Sequence, residues 1–338
     1  MRDVNFESFL QENGTEIHLA ISVCQQNLIR GQGYPENDRQ FRQLKVLLKS
    51  VGVLAKTRVK FHIITDSHDV YQQITNVTLD WSSTYRNKIA FGLRKDLYNP
   101  PDMESIRNLY RPCASQRMFL PYSFPNTDAM IYTDTDAYFM QPPELMWDLF
   151  KNFDHRQVIG VTAHLFQYTP PFNAFPVFGF TGLNSGVLLL NLTRIRNFPN
   201  GWIKSIKDII NNYKNKYHVL DQDILNILLS KDNAKYAYEV PCEWNYMFIM
   251  CNYVRNTCPS LYTNGLALLH GVDWSFINEK GPKFKAVFYA WEKYDMKSPV
   301  EELLTSMRYH LREAPLHACG KVPNIDDLIM KGIKKHLP

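Results

Sequence analysis

The run Ala129-Met-Ile-Tyr-Thr-Asp-Thr-Asp-Ala-Tyr-Phe139 constrains this chain more than any other stretch, because apolar residues climb toward two carboxylates separated by one threonine. It reads as a buried strand that ends in charge. A strand has a period of two, so Asp134 and Asp136 leave the backbone on the same side, and strand ends open into the crevice where α/β proteins bind ligands. Two carboxylates on one side repel unless a cation lies between them. An isolated Asp-x-Asp is more often a solvated turn after a core strand than a metal site, so the rest of the chain has to decide.

With 338 residues the chain can bury a full α/β core. Glu16 to Cys24 is a β-branched run that predicts a first strand, followed by a polar segment with Gly31, Gly33 and Pro35. From Asp38, a suitable N-cap, the spacing of Phe41, Leu44, Leu47, Leu48, Val51 and Leu54 predicts an amphipathic helix. Val59 to Thr65 predicts the next strand, so the three together form a parallel βαβ unit with a right-handed crossover. Val77–Trp81 and Lys88–Leu93 read as short edge strands. Cys113 to Pro121 reads as a helix that leads into the Asp134 strand and brings Arg117 toward the carboxylates.

Pro142 to Phe150 begins with helix-compatible prolines, and Val158–Ala163 is a short strand. Tyr168 to Phe180 holds too many prolines and aromatics for a regular element and reads as a loop beside a site. Leu183–Asn191 is an apolar strand in which Gly186 marks either a close backbone approach or a bulge. Trp202–Tyr213 and Val219–Leu229 read as helices, the second with Asp221, Gln222 and Asp223 in its first turn, where acidic groups complement the helix dipole. Leu266 to Gly271 repeats the opening plan, a strand ending in a possible ligand, His270. A helix from Pro282 to about Glu292 and two tail helices complete the chain.

Lysine and arginine number 38 against 33 aspartate and glutamate, a net charge of +5. The basic residues are scattered, which suits a small anionic ligand and gives no nucleic-acid surface. The many tyrosines and phenylalanines fit carbohydrate stacking and ordinary packing alike. No run approaches a membrane span, and Met1-Arg-Asp-Val-Asn lacks the plan of a signal peptide, so the chain as written reads as soluble and untargeted. Against this stand sequons at Asn13, Asn76 and Asn191 and the crowding of Cys242, Cys251 and Cys258. Six cysteines leave many pairings open, and buried thiols in a reducing compartment are an equal alternative. A lumenal protein would need a leader or anchor outside this sequence.

Asp134-Thr-Asp136, Asn184-Ser-Gly186, Asp221-Gln-Asp223 and His270-Gly271 follow one another at domain-scale spacing. In this order the chain resembles the retaining, metal-dependent glycosyltransferases of family 8, which use nucleotide sugars. The longer strings Arg111 to Pro121, Thr181 to Val187 and Pro241 to Tyr246 are similar to the animal glucoside xylosyltransferases, which elongate O-linked glucose on EGF repeats. The resemblance spans residues 16–320.

The resemblance implies the α/β GT-A fold with a mixed central sheet and a C-terminal helical extension. The chain would divide into an arm at 1–15, a catalytic domain at 16–295 and a helical tail at 296–338. Asp134, Asp136 and His270 would hold a divalent metal, Mn²⁺ rather than Mg²⁺ because a mixed oxygen and nitrogen shell suits manganese. UDP-xylose would be the donor and an O-glucosylated EGF-repeat glycoprotein the acceptor, with an α-1,3 linkage, in the Golgi or ER lumen. Donor contacts would come from Arg117, Thr135, Asn184, Ser185, Gly186 and Gly271, with Lys280 on the phosphates. Asp221 would bind sugar hydroxyls, and Gln222 would lie near the far face of the anomeric carbon. The family's retention is described as a same-face displacement assisted by the departing phosphate, and the sequence offers no nucleophile.

Two stretches depart from the family pattern, Val272-Asp-Trp-Ser-Phe-Ile after His270-Gly and the Tyr168–Phe180 loop, so the acceptor side is the least defined. UDP-glucose or UDP-galactose as donor, and a UDP-sugar- or glycan-binding protein without turnover, remain alternatives. Haloacid-dehalogenase-like phosphatases also place Asp-x-Asp after an apolar strand. Their motif opens the domain and continues with Thr or Val, whereas here Ala137-Tyr follows and a βαβ unit comes first.

Overall fold

The computed structural model describes residues 16–24, 36–95, 97–101, 112–164, 167–168, 175–213, 220–251 and 257–337, with backbone alone at 36–38 and 112. The Asn13 sequon, the segment with Gly31, Gly33 and Pro35, Arg111, Val219 and part of the Tyr168–Phe180 loop lie outside the described residues.

Strand β1 (Glu16–Ser22), helix α1 (Glu36–Leu54) and strand β2 (Arg58–Ile64) form the expected unit, with the two strands parallel along their whole length. Leu44, Leu47, Leu48 and Val51 of α1 are buried against Leu19, Ile21, Phe61 and Ile63, so the amphipathic spacing is what seats this helix on the sheet. Its course corrects the sequence reading: the helix already includes Glu36, so Asp38 lies inside it rather than capping it. Ser67 accepts from the Val70 N–H and caps helix α2 (His68–Asn76). Val77–Trp81 is a series of turns rather than an edge strand, because its N–H groups bond three residues back, as Leu79 does to Asn76 O and Trp81 to Thr78 O. Strand β3 (Ile89–Arg94) is the parallel edge, as its pattern predicts.

Residues 112–123 are helical in three short pieces, Pro112–Ser115, Gln116–Phe119 and Leu120–Ser123, instead of one helix. Pro121 lies in the first turn of the last piece, where its missing N–H costs nothing. Then come β4 (Ala129–Thr133), β5 (Ala137–Phe139), β6 (Ile159–Ala163) and β7 (Leu183–Asn191). Helices α3 (Trp202–Tyr213) and α4 (Asp221–Leu228), strands β8 (Ala237–Glu239), β9 (Tyr246–Met247) and β10 (Leu268–His270), and helices α5 (Pro282–Lys293), α6 (Val300–Glu313) and α7 (Ile325–Lys334) complete the order.

Seven strands make the main sheet in the order β3-β2-β1-β4-β7-β6-β8. It is mixed, with β1 to β4 parallel and β7 antiparallel to both β4 and β6. A second sheet, β5-β10-β9, is built from the chain that leaves β4 and from the C-terminal half. The last helices pack directly on it. A Cβ placed on Gly332 of α7 would fall 1.8 Å from Leu266 O, so this backbone approach tolerates only glycine. Buried Lys283 of α5 donates to Leu311 O at 2.6 Å and pairs with Asp326, tying the three helices together. All six cysteines are paired, as Cys24–Cys113, Cys242–Cys258 and Cys251–Cys319, which resolves the connectivity the sequence left open.

His18 Nδ1 and His62 Nε2 lie 2.9 Å apart on adjacent strands. Burial, and then the charges of His18 and Lys60, push His62 from its ordinary 6.5 down to about 3. The unfolded chain takes up the proton first, so this stability is present above pH 6.5 and is lost as pH falls toward 3. Urea denaturation should show the wild type losing about 1–2 kcal/mol more than His62→Gln between pH about 6.5 and 5. Coincident pH profiles would remove His62 as the cause.

Candidate active site

Strand β4 ends at Thr133, and the chain turns through Asp134-Thr-Asp136 into β5, passing from the main sheet to the second. The two carboxylates therefore sit on a turn closed by Ala137 N–H on Asp134 O at 3.1 Å, not on a strand with a period of two. Their convergence comes from the strands that flank the turn. On one side β7 pairs Val187 with Thr133, and the next N–H, of Asp134, donates to Gly186 O at 2.7 Å. On the other side β10 sets His270 opposite Ala137, and Gly271 N–H donates to Asp136 O at 2.7 Å.

At this junction one ligand atom from each of Asp134, Asp136 and His270 lies within 4.8 Å of the others. Gly186 is the close approach, because a Cβ there would stand 2.3 Å from His270 Cε1 and 2.8 Å from Asp134 Oδ2. The residues fit a cation. Two carboxylates and an imidazole supply the mixed oxygen and nitrogen donors that suit a first-row divalent ion. His270 Nε2 and Asp136 Oδ1 are 3.4 Å apart, close to the roughly 3 Å between neighbouring ligands of a six-coordinate shell.

Arg117 is buried behind this cluster, 6% exposed. Its Nη2 donates to Asp134 Oδ1 at 2.8 Å, its Nε lies 3.0 Å from Asp221 Oδ2, and its Nη1 donates to Ser185 O at 2.6 Å and to Ser185 Oγ at 3.1 Å. The guanidinium also lies over the Tyr132 ring at 4.7 Å, and the Tyr132 hydroxyl donates to Asp134 Oδ1 at 3.0 Å. Arg117 is thus a fork that binds three chain segments. Burial raises the Asp134 carboxyl above its ordinary range and Asp136 adds to this, while Arg117 pulls it back.

Beside the cluster lies a wall of amides. Asn184 Nδ2 and Ser185 N–H both donate to Gln222 Oε1, at 3.3 and 3.0 Å. Gln222 Nε2 donates to Gln167 Oε1 at 2.8 Å and to the Tyr168 hydroxyl at 3.1 Å, and that hydroxyl donates to Asp223 Oδ1 at 2.7 Å. Asp223 Oδ2 accepts from Leu220 N–H at 2.9 Å, so Asp223 caps α4. Thr135 is buried at the apex of the turn, and Gly271 packs so closely that a Cβ would meet Phe276 at 2.4 Å. Lys280 is exposed and pairs with Asp273, on the turn after His270 where Asp273 and Trp274 have left-handed φ of 57° and 65°.

Several groups escaped the sequence reading. Arg39, Gln40 and Gln43 of α1 line the same cleft as Asp136 and Arg117, and the Arg39 guanidinium lies 4.6 Å from the Trp274 ring. On sequence alone they are the solvated face of an amphipathic helix. Asn245 is fully buried, with Oδ1 2.7 Å from His270 Nδ1. It belongs to the Pro241–Tyr246 string that carried the resemblance, yet nothing local marks it as a site residue.

Gly186→Ala should leave the sheet intact and weaken divalent-cation binding at least tenfold by titration calorimetry, since its methyl would enter the space between His270 and Asp134. Arg117→Met should lower unfolding stability by about 2–4 kcal/mol in urea, because it strands two part-buried carboxylates, Asp134 and Asp221. An unchanged affinity in the first or a loss under about 1 kcal/mol in the second would contradict this account.

A family model for glycosyl transferase family 8 matches residues 34–272. Glucoside xylosyltransferase 1 of Danio rerio is 32% identical over 290 residues, 81% of this chain and 71% of the relative. Glucoside xylosyltransferase 2 of Mus musculus is 29% identical over 336 residues, 94% of this chain and 71% of the relative. Among solved structures, mouse xyloside xylosyltransferase 1 in its apo form superposes with a TM-score of 0.56 at 18% identity, over 76% of this chain and 98% of that one. The galactosyltransferase LgtC with donor and acceptor sugar analogs gives 0.57 at 20% identity, over 84% and 98%. These two likenesses concern the fold, which is GT-A. With most of its length inside the family model, the chain belongs to glycosyl transferase family 8.

Proposed function

We propose that the protein transfers xylose from UDP-xylose, with retention, to a glucose-linked acceptor, the O-glucose of an EGF repeat, and that residues 16–295 form the catalytic domain with 296–338 as its helical tail. The carrying observation is the junction that sets Asp134, Asp136 and His270 against the Asn184–Gln222 wall with Arg117 behind both. The names of the glucoside xylosyltransferase relatives support xylose as the sugar and a glucoside as the acceptor.

A divalent cation, Mn²⁺ in preference to Mg²⁺, would be held by Asp134, Asp136 and His270 and supplies Lewis-acid stabilisation of the charge that develops on the UDP leaving group. Asn184 and Asp221 would bind donor hydroxyls, and discrimination follows because a buried polar partner left unpaired is expensive. Gln222 is neutral and the Asp221 carboxylate is paired with Arg117 at 3.0 Å, so neither is set up as a free nucleophile. This supports a same-face displacement in which the departing phosphate takes the acceptor's proton. Thr135, Ser185, Gly186 and Gly271 would shape the floor of the donor site, and Lys280 would leave Asp273 for the phosphates, where an ammonium acts as a compact charge.

Three disulfides fit an oxidising compartment and so support a lumenal, Golgi or ER, location. No helix among the described residues is long and apolar enough to cross a membrane. Of the two described sequons, Asn76 is exposed at the end of α2, whereas Asn191 is buried and accepts from Arg194 N–H.

The test is a panel of UDP-xylose, UDP-glucose and UDP-galactose against a glucosylated EGF repeat, with Mn²⁺ or chelator. UDP-xylose should give the highest kcat/KM, and Asp136→Asn should lose at least about 100-fold in kcat. A faster UDP-glucose reaction would reassign the donor. Full activity in chelator would defeat the metal assignment, and UDP binding without turnover on any pair would make the protein a binding module.

A further inference from the structure

The polarity of the hydrogen bonds around His270 can be followed from a group whose role is not in doubt. A backbone N–H only donates, and Gly186 N–H points at one terminal atom of Asn184 at 3.0 Å, so that atom is the amide oxygen. The Asn245 atom that meets the same oxygen at 3.0 Å must then be its NH₂ group. Asn245 therefore turns its oxygen to His270 Nδ1, 2.7 Å away, and an oxygen that only accepts requires a proton on Nδ1. In the neutral ring the lone pair is left on Nε2, the atom that faces Asp136. Ser185 N–H fixes Gln222 Oε1 as an acceptor in the same way, so the orientation of Asn184 is specified from both of its ends.

Asn245 is itself clamped. It ends the turn Cys242–Asn245, whose first residue is bonded to Cys258 and whose Glu243 carboxylate accepts from Ser260 Oγ and from Asn264 Nδ2. Glu243 O also accepts from Ala267 N–H, just before β10, at 3.1 Å. The turn is thus bonded to the strand that carries His270.

We propose that Asn245 is a positioning residue for the metal ligand His270: relayed from the Gly186 N–H through Asn184, it holds the proton on Nδ1 and turns the Nε2 lone pair toward Asp134 and Asp136. The inference rests on the metal site of the proposed function and goes beyond it by giving the imidazole's tautomer a named cause. An outer partner that fixes a histidine ligand in this way commonly controls metal affinity by about 10- to 100-fold.

The experiment has two arms on the full chain. In the first, Mn²⁺ alone is titrated into wild type, Asn245→Leu and Asn245→Asp, with near-UV circular dichroism as the check on folding. Asn245→Leu should bind Mn²⁺ about 10- to 100-fold more weakly, and Asn245→Asp, which keeps an acceptor for Nδ1–H, should recover most of that loss. In the second, ¹⁵N-labelled histidine in the metal-free wild type is read by long-range proton–nitrogen correlation, which does not depend on any variant folding. Read at a pH where the imidazole is neutral, His270 should show a protonated Nδ1 and a bare Nε2.

A proton on Nε2 of the neutral ring, or Mn²⁺ affinity in a folded Asn245→Leu equal to that of the wild type, overturns the inference alone. Wild type that takes up no divalent cation overturns the metal reading beneath it. A rescue by Asn245→Asp supports a role in orientation, because a merely space-filling residue would be served as well by leucine.

Discussion

A single buried guanidinium holds the centre of this protein together. Arg117 reaches the end of β4 through Asp134, the start of β7 through Ser185, and the first turn of α4 through Asp221. A cation this deep is tolerable only if its donors are met, and carboxylates this deep are tolerable only beside a cation. Each side therefore stabilises the burial of the other. Asp134, Asp136 and Asp221 outnumber the cations beside them, since Arg117 pairs with Asp134 and Asp221 while Arg39 acts on Asp136 from the same cleft, so the cluster stays net negative and suits a cation.

The parts of the fold with a clear period were legible. Leu183–Asn191 ends where the sequence pattern ends, Trp202–Tyr213 is helical as its spacing predicts, and the parallel pairing of β1 with β2 follows from strand, helix and strand in succession. What the sequence could not show was set by contacts between distant residues. An apolar run before Asp134 looks the same whether the strand continues or stops at Thr133, and only the departure of β5 into a second sheet decides. Val77–Trp81 alternates like a strand, but its N–H groups bond three residues back in a series of turns.

The same holds for the site. The four short motifs meet in the structure, because strand ends and a helix start are places a sequence can mark. The partners of Arg117 and Asn245 could not be marked this way. Asn245 meets residues 25 and 61 positions away, and no local pattern records such a meeting. The amides also join two halves that the motifs treat separately, because one oxygen of Asn184 serves the histidine side while its nitrogen serves Gln222.

The three disulfides lie where these distant meetings occur. Cys113 precedes Arg117 by four residues, Cys242 precedes Asn245 by three, and Cys251 joins the chain after β9 to Cys319 among the last helices. Each crosslink restricts the unfolded chain, so part of the entropy of bringing these segments together is lost when the bonds form during folding. Ligand binding then begins from a cleft whose walls are already in register, and little of its free energy is diverted into ordering them.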